Sequence, residues 1–377
     1  MASIDLTGIP VIDNHCHGLY LDRGPFNCVT WRRFFTEPHD PEMARSRSQD
    51  GLLSTTAAPT GGFPRMRALR GGGAGHAPGM EPRGTDPLPA PDSEYRHVAD
   101  RRRLPSTRAR TGGAELTRVS GCRVLPTLPL ETLMEQLIAE HDTLDGAIAG
   151  LIAELQELRG QGYVALKSIA AYCTGLDIQD WPNADIERSF AAARQEALEQ
   201  GSLRLAHKPL LDALLRVAFI EAAKQEIPVQ FHVGYGDADL LRDNPLLLRP
   251  VLECPAYRGL PVVLLHACYP YTREGGYLAS VYQQVYLDLS YGIPFLGYSE
   301  MLAFTRAARG IAPISKLLYC SDGVGIPELH WLGTLNGRLV LGAALSELVE
   351  QGELSAPETE ATGAAVLSST ARALYRL

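Results

Sequence analysis

The chain has 377 residues, a formal net charge of -8, 45% hydrophobic and 21% charged residues. That balance supports a sizeable buried core and excludes wholesale disorder, and the acidic excess argues against generic binding to a nucleic-acid backbone. No run of roughly 18 apolar residues and no basic stretch followed by an apolar core marks a membrane span or a secretion signal, so a soluble cytoplasmic protein is expected.

Seven cysteines (Cys16, Cys28, Cys122, Cys173, Cys254, Cys268 and Cys320) are odd in number, scattered, and contain no Cys-x-x-Cys pair. Neither a disulfide framework nor a structural zinc site is indicated, and Cys16 is read as a packing residue.

In chain order, short apolar runs ending in a polar residue recur: 10–15, 123–128, 163–167, 228–232, 261–266, 285–289 and 316–322. Most precede segments of helical periodicity, as parallel βα units do. One long helix is expected over Glu131 to Arg159. Another runs from Lys208 to Glu226, with Leu210, Leu211, Leu214, Leu215, Phe219 and Ile220 forming its apolar stripe. From Leu335 to the C-terminus one or two closing helices are expected, punctuated by Pro357 and Gly363. The predicted architecture is α/β, a (β/α)8 TIM-type barrel spanning 1–377 as one domain and one strand short in this count.

The missing strand belongs between Asn14 and Arg123, where the composition changes abruptly. Residues 46–113 contain no Ile, no Lys and a single Val, Val98, and are dominated by Arg, Gly, Pro, Ala, Thr and Ser. Such a segment buries too little apolar surface to offset its ordering entropy. A frameshift in a GC-rich gene, a disordered insertion and an Arg-rich interaction arm each account for it. Reading the coding DNA in the other two frames separates them.

His15 and His17 lie two apart at the end of the first run, so their side chains share one face. His232, His266 and Asp322 end three further runs. Barrel enzymes assemble their sites from the C-terminal ends of different strands, which makes these residues one constellation. Nitrogen and carboxylate donors suit a divalent cation, Zn2+ first with Mn2+ or Fe2+ as substitutes. Such an ion acidifies water and polarises a carbonyl; Asp322 and His266 are the candidate catalytic residues, with Asp322 placed to relay the proton to a leaving group. Lys167 ends its strand at the same mouth. It is read as a carbamylated ligand implying two ions, as a substrate contact, or as unconnected with the site. Tyr235, Tyr271 and Arg273 follow the ligands on loops where substrate contacts are expected, although Arg273 suits a surface salt bridge equally well. His330 and Trp331 follow Asp322, as pocket lining or as a solvated histidine and a packing tryptophan.

At these residues the sequence resembles the amidohydrolase superfamily: His15-Cys-His17 after Val-Ile-Asp-Asn, then His232, His266 and Ser321-Asp322. The phrases at 228–237, 265–274 and 317–323 resemble the amidohydrolase-2 branch, and within it the domains related to those fused to glutamine synthetase-like domains. The resemblance covers residues 1 to about 45 and about 114 to 377. It implies a divalent-metal hydrolase; hydrolysis of a C–N bond in a small polar, carboxylate-bearing molecule is the leading reading of its activity, and a homo-oligomer is one assembly left open. The branch also holds decarboxylases and uronate-isomerase-like enzymes, and interruption of the barrel by 46–113 leaves a catalytically defective scaffold as a third reading.

Overall fold

The computed structural model describes residues 4–21, 34, 110–236 and 238–377. Six strands are laddered: β1 (Thr127–Pro129), β2 (Ala165–Ser168), β3 (Val229–Phe231), β4 (Val262–Leu264), β5 (Val285–Ser290) and β6 (Leu317–Cys320). They pair in the order β1-β2-β3-β4-β5-β6, every pair parallel. Each strand lying beside the next in sequence, with helices in the crossovers, is the winding of an α/β barrel.

Helix α1 (Gly113–Ser120) precedes β1, while α2 (Leu130–Glu140) and α3 (Leu144–Leu155) lie between β1 and β2. Next, α4 (Asn183–Gln200) and α5 (Lys208–Gln225) lead to β3; α6 (Thr272–Val281) and α7 (Tyr298–Arg309) flank β5; α8 (Pro327–Glu350) follows β6. The expected single helix from Glu131 to Arg159 is two. His141 leaves helical geometry at φ -105°, ψ 140°, and the Thr143 side chain accepts from the Gly146 N–H at 3.1 Å, starting a new helix. The closing region begins at Pro327, and Pro357 stands in the first turn of a helix, Ala356–Ala364, that contains Gly363.

The first apolar run is not laddered as a strand, but it lies against β6. The Asn14 N–H donates to the Tyr319 carbonyl at 3.0 Å and the Asp322 N–H to the His15 carbonyl at 3.1 Å. The eighth strand expected between Asn14 and Arg123, and the unusual stretch 46–113 up to residue 109, fall outside the described residues.

Side chains from even-numbered strands meet inside the sheet. Ala165 of β2, Val263 of β4 and Leu318 of β6 pack with Leu265 and with Ala371, Leu374 and Tyr375 of the C-terminal segment. One interior layer drawn from alternate strands is the packing a filled barrel requires. The C-terminal segment closes it from the strands' N-terminal side, where Arg376 pairs with Glu226 and Arg159 donates to the Tyr375 carbonyl. No described helix is long and apolar enough to cross a membrane.

Candidate metal centre

The alternation of strand side chains determines what faces inward. Lys167 of β2 is in register with Gln230 of β3, and Asp288 of β5 with Leu318 of β6. His232 lies two residues beyond Gln230, and Asp322 two beyond Cys320, on the same inner face.

Three donors come together most tightly. Ligand atoms of His15, His17 and Asp322 all lie within 4.8 Å of one another. Asp322 Oδ1 is 3.5 Å from His17 Nε2, and its Oδ2 is 3.3 Å from His266 Nδ1. The Tyr235 hydroxyl donates to the same Oδ2 at 2.8 Å. The His15 ring centroid is 4.9 Å from that of His17 and 5.9 Å from that of His266.

His15 is held in one tautomer. Gln230 donates through Nε2 to the Asn14 carbonyl at 3.0 Å and to the Tyr375 hydroxyl at 2.9 Å, which leaves its Oε1 to accept. That oxygen is 2.9 Å from His15 Nδ1, so the proton sits on Nδ1 and the lone pair on Nε2. His15 Nε2 is buried and has no hydrogen-bond partner. A neutral imidazole with an unsatisfied, inward lone pair could serve as a metal donor.

His232 sits 4.4 Å from His266, centroid to centroid, and 4.0 Å from the Tyr172 ring. Its Nε2 is 2.7 Å from the Tyr235 carbonyl, which can only accept; the proton is on Nε2, and any metal contact would run through Nδ1.

Electrostatics point the same way. Burial opposes ionisation of Asp322, yet the surrounding His266, His17 and His15 hold it well below the usual carboxylate range. Burial and the nearby Lys167 hold His15 well below the usual histidine range, and burial lowers His17. One carboxylate among neutral imidazoles is a donor set that a borderline divalent cation fits. The Nζ atom of half-buried Lys167 is itself buried and has no hydrogen-bond partner. Burial pushes its ammonium down to about 8, against the attraction of Asp322, Asp288 and Glu131.

The backbone around these residues is strained. His266, Ala267 and Cys268 have φ of 64°, 52° and 50°, and Asp322 has φ of 50°. Non-glycine residues there cost energy, and such positions cluster at functional sites. Asp288 Oδ1 accepts from the Ala267 N–H at 3.1 Å and so pins the middle of the strained turn. Asp13 accepts from both the backbone N–H and the hydroxyl of Ser321, fixing the residue before Asp322. Gly234 is required by proximity: with φ of 84°, a Cβ on it would lie 2.2 Å from the Tyr269 carbonyl oxygen.

The other expected contacts separate. Tyr235 reaches the centre as the partner of Asp322. The Tyr271 hydroxyl donates to the Leu240 carbonyl at 3.0 Å, and Arg273 is exposed on the first turn of α6, so neither joins the cluster around Asp322. Asn14, Gln230, Asp288 and Tyr375 were not anticipated. Gln230 and Asp288 carried a usable signal, since each is a polar residue inside an apolar strand, in phase with an inward position. Tyr375 carried none.

Comparison with known proteins agrees with this geometry. The sequence profile of the family described as Amidohydrolase matches residues 181–377, more than half of the chain. The chain belongs to this amidohydrolase family, and is accordingly an enzyme of hydrolase type whose centre suits a divalent metal. A solved structure described as a putative metal-dependent hydrolase from Lactobacillus casei ATCC 334 superposes with a TM-score of 0.79 at 27% identity, covering 100% of this chain and 98% of that one. The uronate isomerase of Thermotoga maritima gives 0.54 at 15% identity, covering 70% of this chain and 64% of that one, a likeness of fold alone. Protein fluG of Emericella nidulans is 36% identical over 224 residues, which is 57% of this chain. The match spans 26% of that longer protein.

Proposed function

We propose that this chain hydrolyses an amide-type C–N bond of a small polar substrate, with His15, His17 and Asp322 holding a divalent ion, Zn2+ first. His232, through Nδ1, is a further ligand of this reading, and Lys167 joins it only as a carbamate bridging a second ion, because its ammonium has no lone pair to give. When bound, the ion supplies Lewis acidity toward a carbonyl and lowers the pKa of water toward ~7.

The observation that carries the reading is the double engagement of Asp322, one oxygen beside His17 and the other beside His266 and Tyr235. Kept ionised by its neighbours, Asp322 accepts the proton of the attacking water and returns it to the departing nitrogen. Tyr235 orients the carboxylate by donating to Oδ2. His266 Nδ1, beside the same oxygen, stabilises the charge that shifts as the proton moves. The Gln230–Tyr375 pair keeps the His15 lone pair on Nε2 throughout.

The test is elemental analysis of the purified protein beside its Asp322→Ala and His232→Ala variants, followed by product analysis over a set of small amides. Tightly held transition metal in the parent, loss in both variants and release of ammonia or an amine are expected. Unchanged metal in the variants overturns the ligand assignment, and carbon dioxide or a ketose as product overturns C–N hydrolysis.

A further inference from the structure

Behind the His15–His17 segment lies a second group of donors that the reaction does not use. Asp13, Cys16 and His330 each offer one ligand atom, and the three atoms lie within 4.8 Å of one another. Cys16 was expected to pack, and His330 to line the pocket or stand in solvent; both are half-buried and the structure brings them together. We propose that Asp13, Cys16 and His330 form a second, thiophilic cation site, separate from the His15–His17–Asp322 centre and suited to Zn2+, Co2+ or Cd2+.

Three observations support it. His330 Nε2 is buried and has no hydrogen-bond partner. With the ring proton on Nδ1, Nε2 has a free lone pair, as a ligand requires. Asp13 is already oriented, since Ser321 donates to both of its oxygens. Each carboxylate oxygen retains a further lone pair for a cation. The chain path brings the donors together from different elements: Asp13 and Cys16 flank His15, and His330 stands in the first turn of α8. Its ring is packed against Gly323, where an added Cβ would meet the imidazole Cγ at 2.5 Å.

Ligand chemistry defines the occupant. A thiolate, an imidazole and a carboxylate favour borderline and soft ions over Mg2+ or Ca2+, which take oxygen donors. Cation binding displaces the Cys16 thiol proton to solvent, one proton per ion, so that two anionic ligands balance a divalent charge. This neutrality lets a second ion bind close to the first, whose single carboxylate leaves it a net positive charge. Three protein ligands leave one tetrahedral position to water or another donor. An ion there would tie the His15–His17 segment to α8.

The experiment uses the full chain stripped by chelation and titrated with Co2+. Thiolate-to-cobalt charge transfer absorbs in the near ultraviolet, and imidazole and carboxylate ligands give no such band. The expected result is this band in the parent, lost together with one bound ion in Cys16→Ser and in His330→Ala. In Asp322→Asn the band persists while the other centre is emptied, which separates failure of this proposal from failure of the one above. Should a variant fold poorly, X-ray absorption at the zinc edge of the parent decides, with a sulfur neighbour expected at ~2.3 Å. Absence of sulfur scattering at saturating zinc, or a charge-transfer band that survives either Cys16→Ser or His330→Ala, overturns the site.

Discussion

His15 Nδ1 lies 2.9 Å from Gln230 Oε1, and this contact sets which ring nitrogen faces the centre. The Tyr375 hydroxyl accepts from Gln230 and donates to Asn14 Oδ1, so a residue near the C-terminus helps decide the tautomer of a histidine near the N-terminus. Partners of this kind contribute ~10–100-fold in metal affinity. Gln230→Leu is expected to weaken Zn2+ binding by about that range in a chelator competition, and Tyr375→Phe by less, with a stability loss of ~1 kcal/mol. Parent-like affinity in Gln230→Leu would show that His15 keeps its orientation without the amide.

The interior carboxylates make stability pH-dependent. Burial pushes Asp288 up to about 7 from the ordinary 3.8, despite hydrogen bonds from Ala267 and Ser290. The folded state therefore binds a proton that the unfolded state has released between those values. Stability from this group is full below the unfolded value and falls as pH rises through about 7. Asp13, pushed up to about 6 by burial, acts in the same sense. His15, His17 and His330, held by burial below the ordinary 6.5, act in the opposite sense and gain stability as pH rises toward that value. The Asp288 part is therefore read as the difference between the parent and Asp288→Asn in denaturant titrations of the metal-free chain at pH 4.5 to 8, and that difference is expected to fall by a few kcal/mol. A difference that rises across the window would contradict the burial argument.

The positions of the candidate site residues were legible because they obey a simple rule: a polar residue that ends an apolar run projects at the strand's C-terminal end. His232, His266 and Asp322 follow it, and the strands they end are present as β3, β4 and β6. The supporting residues obey no local rule. Tyr375 meets Gln230 across 145 positions and Asn14 across 361, a contact that only closure of the barrel creates. The break at His141–Thr143 was missed for another reason. Leu-, Ala- and Glu-rich sequence continues on both sides, and the Thr143 cap is a weak signal beside that periodicity.

The loops after β3 and β4 touch through Gly234. Its φ of 84° and the Tyr269 carbonyl 2.2 Å from a notional Cβ leave no room for alanine. Gly234→Ala must push the loops apart, stretching the 2.7 Å bond from the Tyr235 N–H to the Tyr269 carbonyl and drawing the Tyr235 hydroxyl off Asp322. A loss of ~2 kcal/mol or more is expected, read as a drop in melting temperature. A variant that melts with the parent would mean that the loops adjust without cost.

Lys167 separates stability from ligation. An interior ammonium whose Nζ has no hydrogen-bond partner disfavours the folded state, and burial already pushes it down to about 8. Lys167→Met removes that desolvation cost at similar volume, so the metal-free variant is expected to melt above the parent, by the equivalent of ~1–3 kcal/mol. If Lys167 is also a ligand, the same substitution lowers the number of ions retained after dialysis. The paired measurement is decisive because the two effects have opposite sign. Higher melting temperature with unchanged metal content removes Lys167 from the ligand set. A lower melting temperature in the metal-free protein means the ammonium is stabilised where it lies, which would refute the desolvation argument.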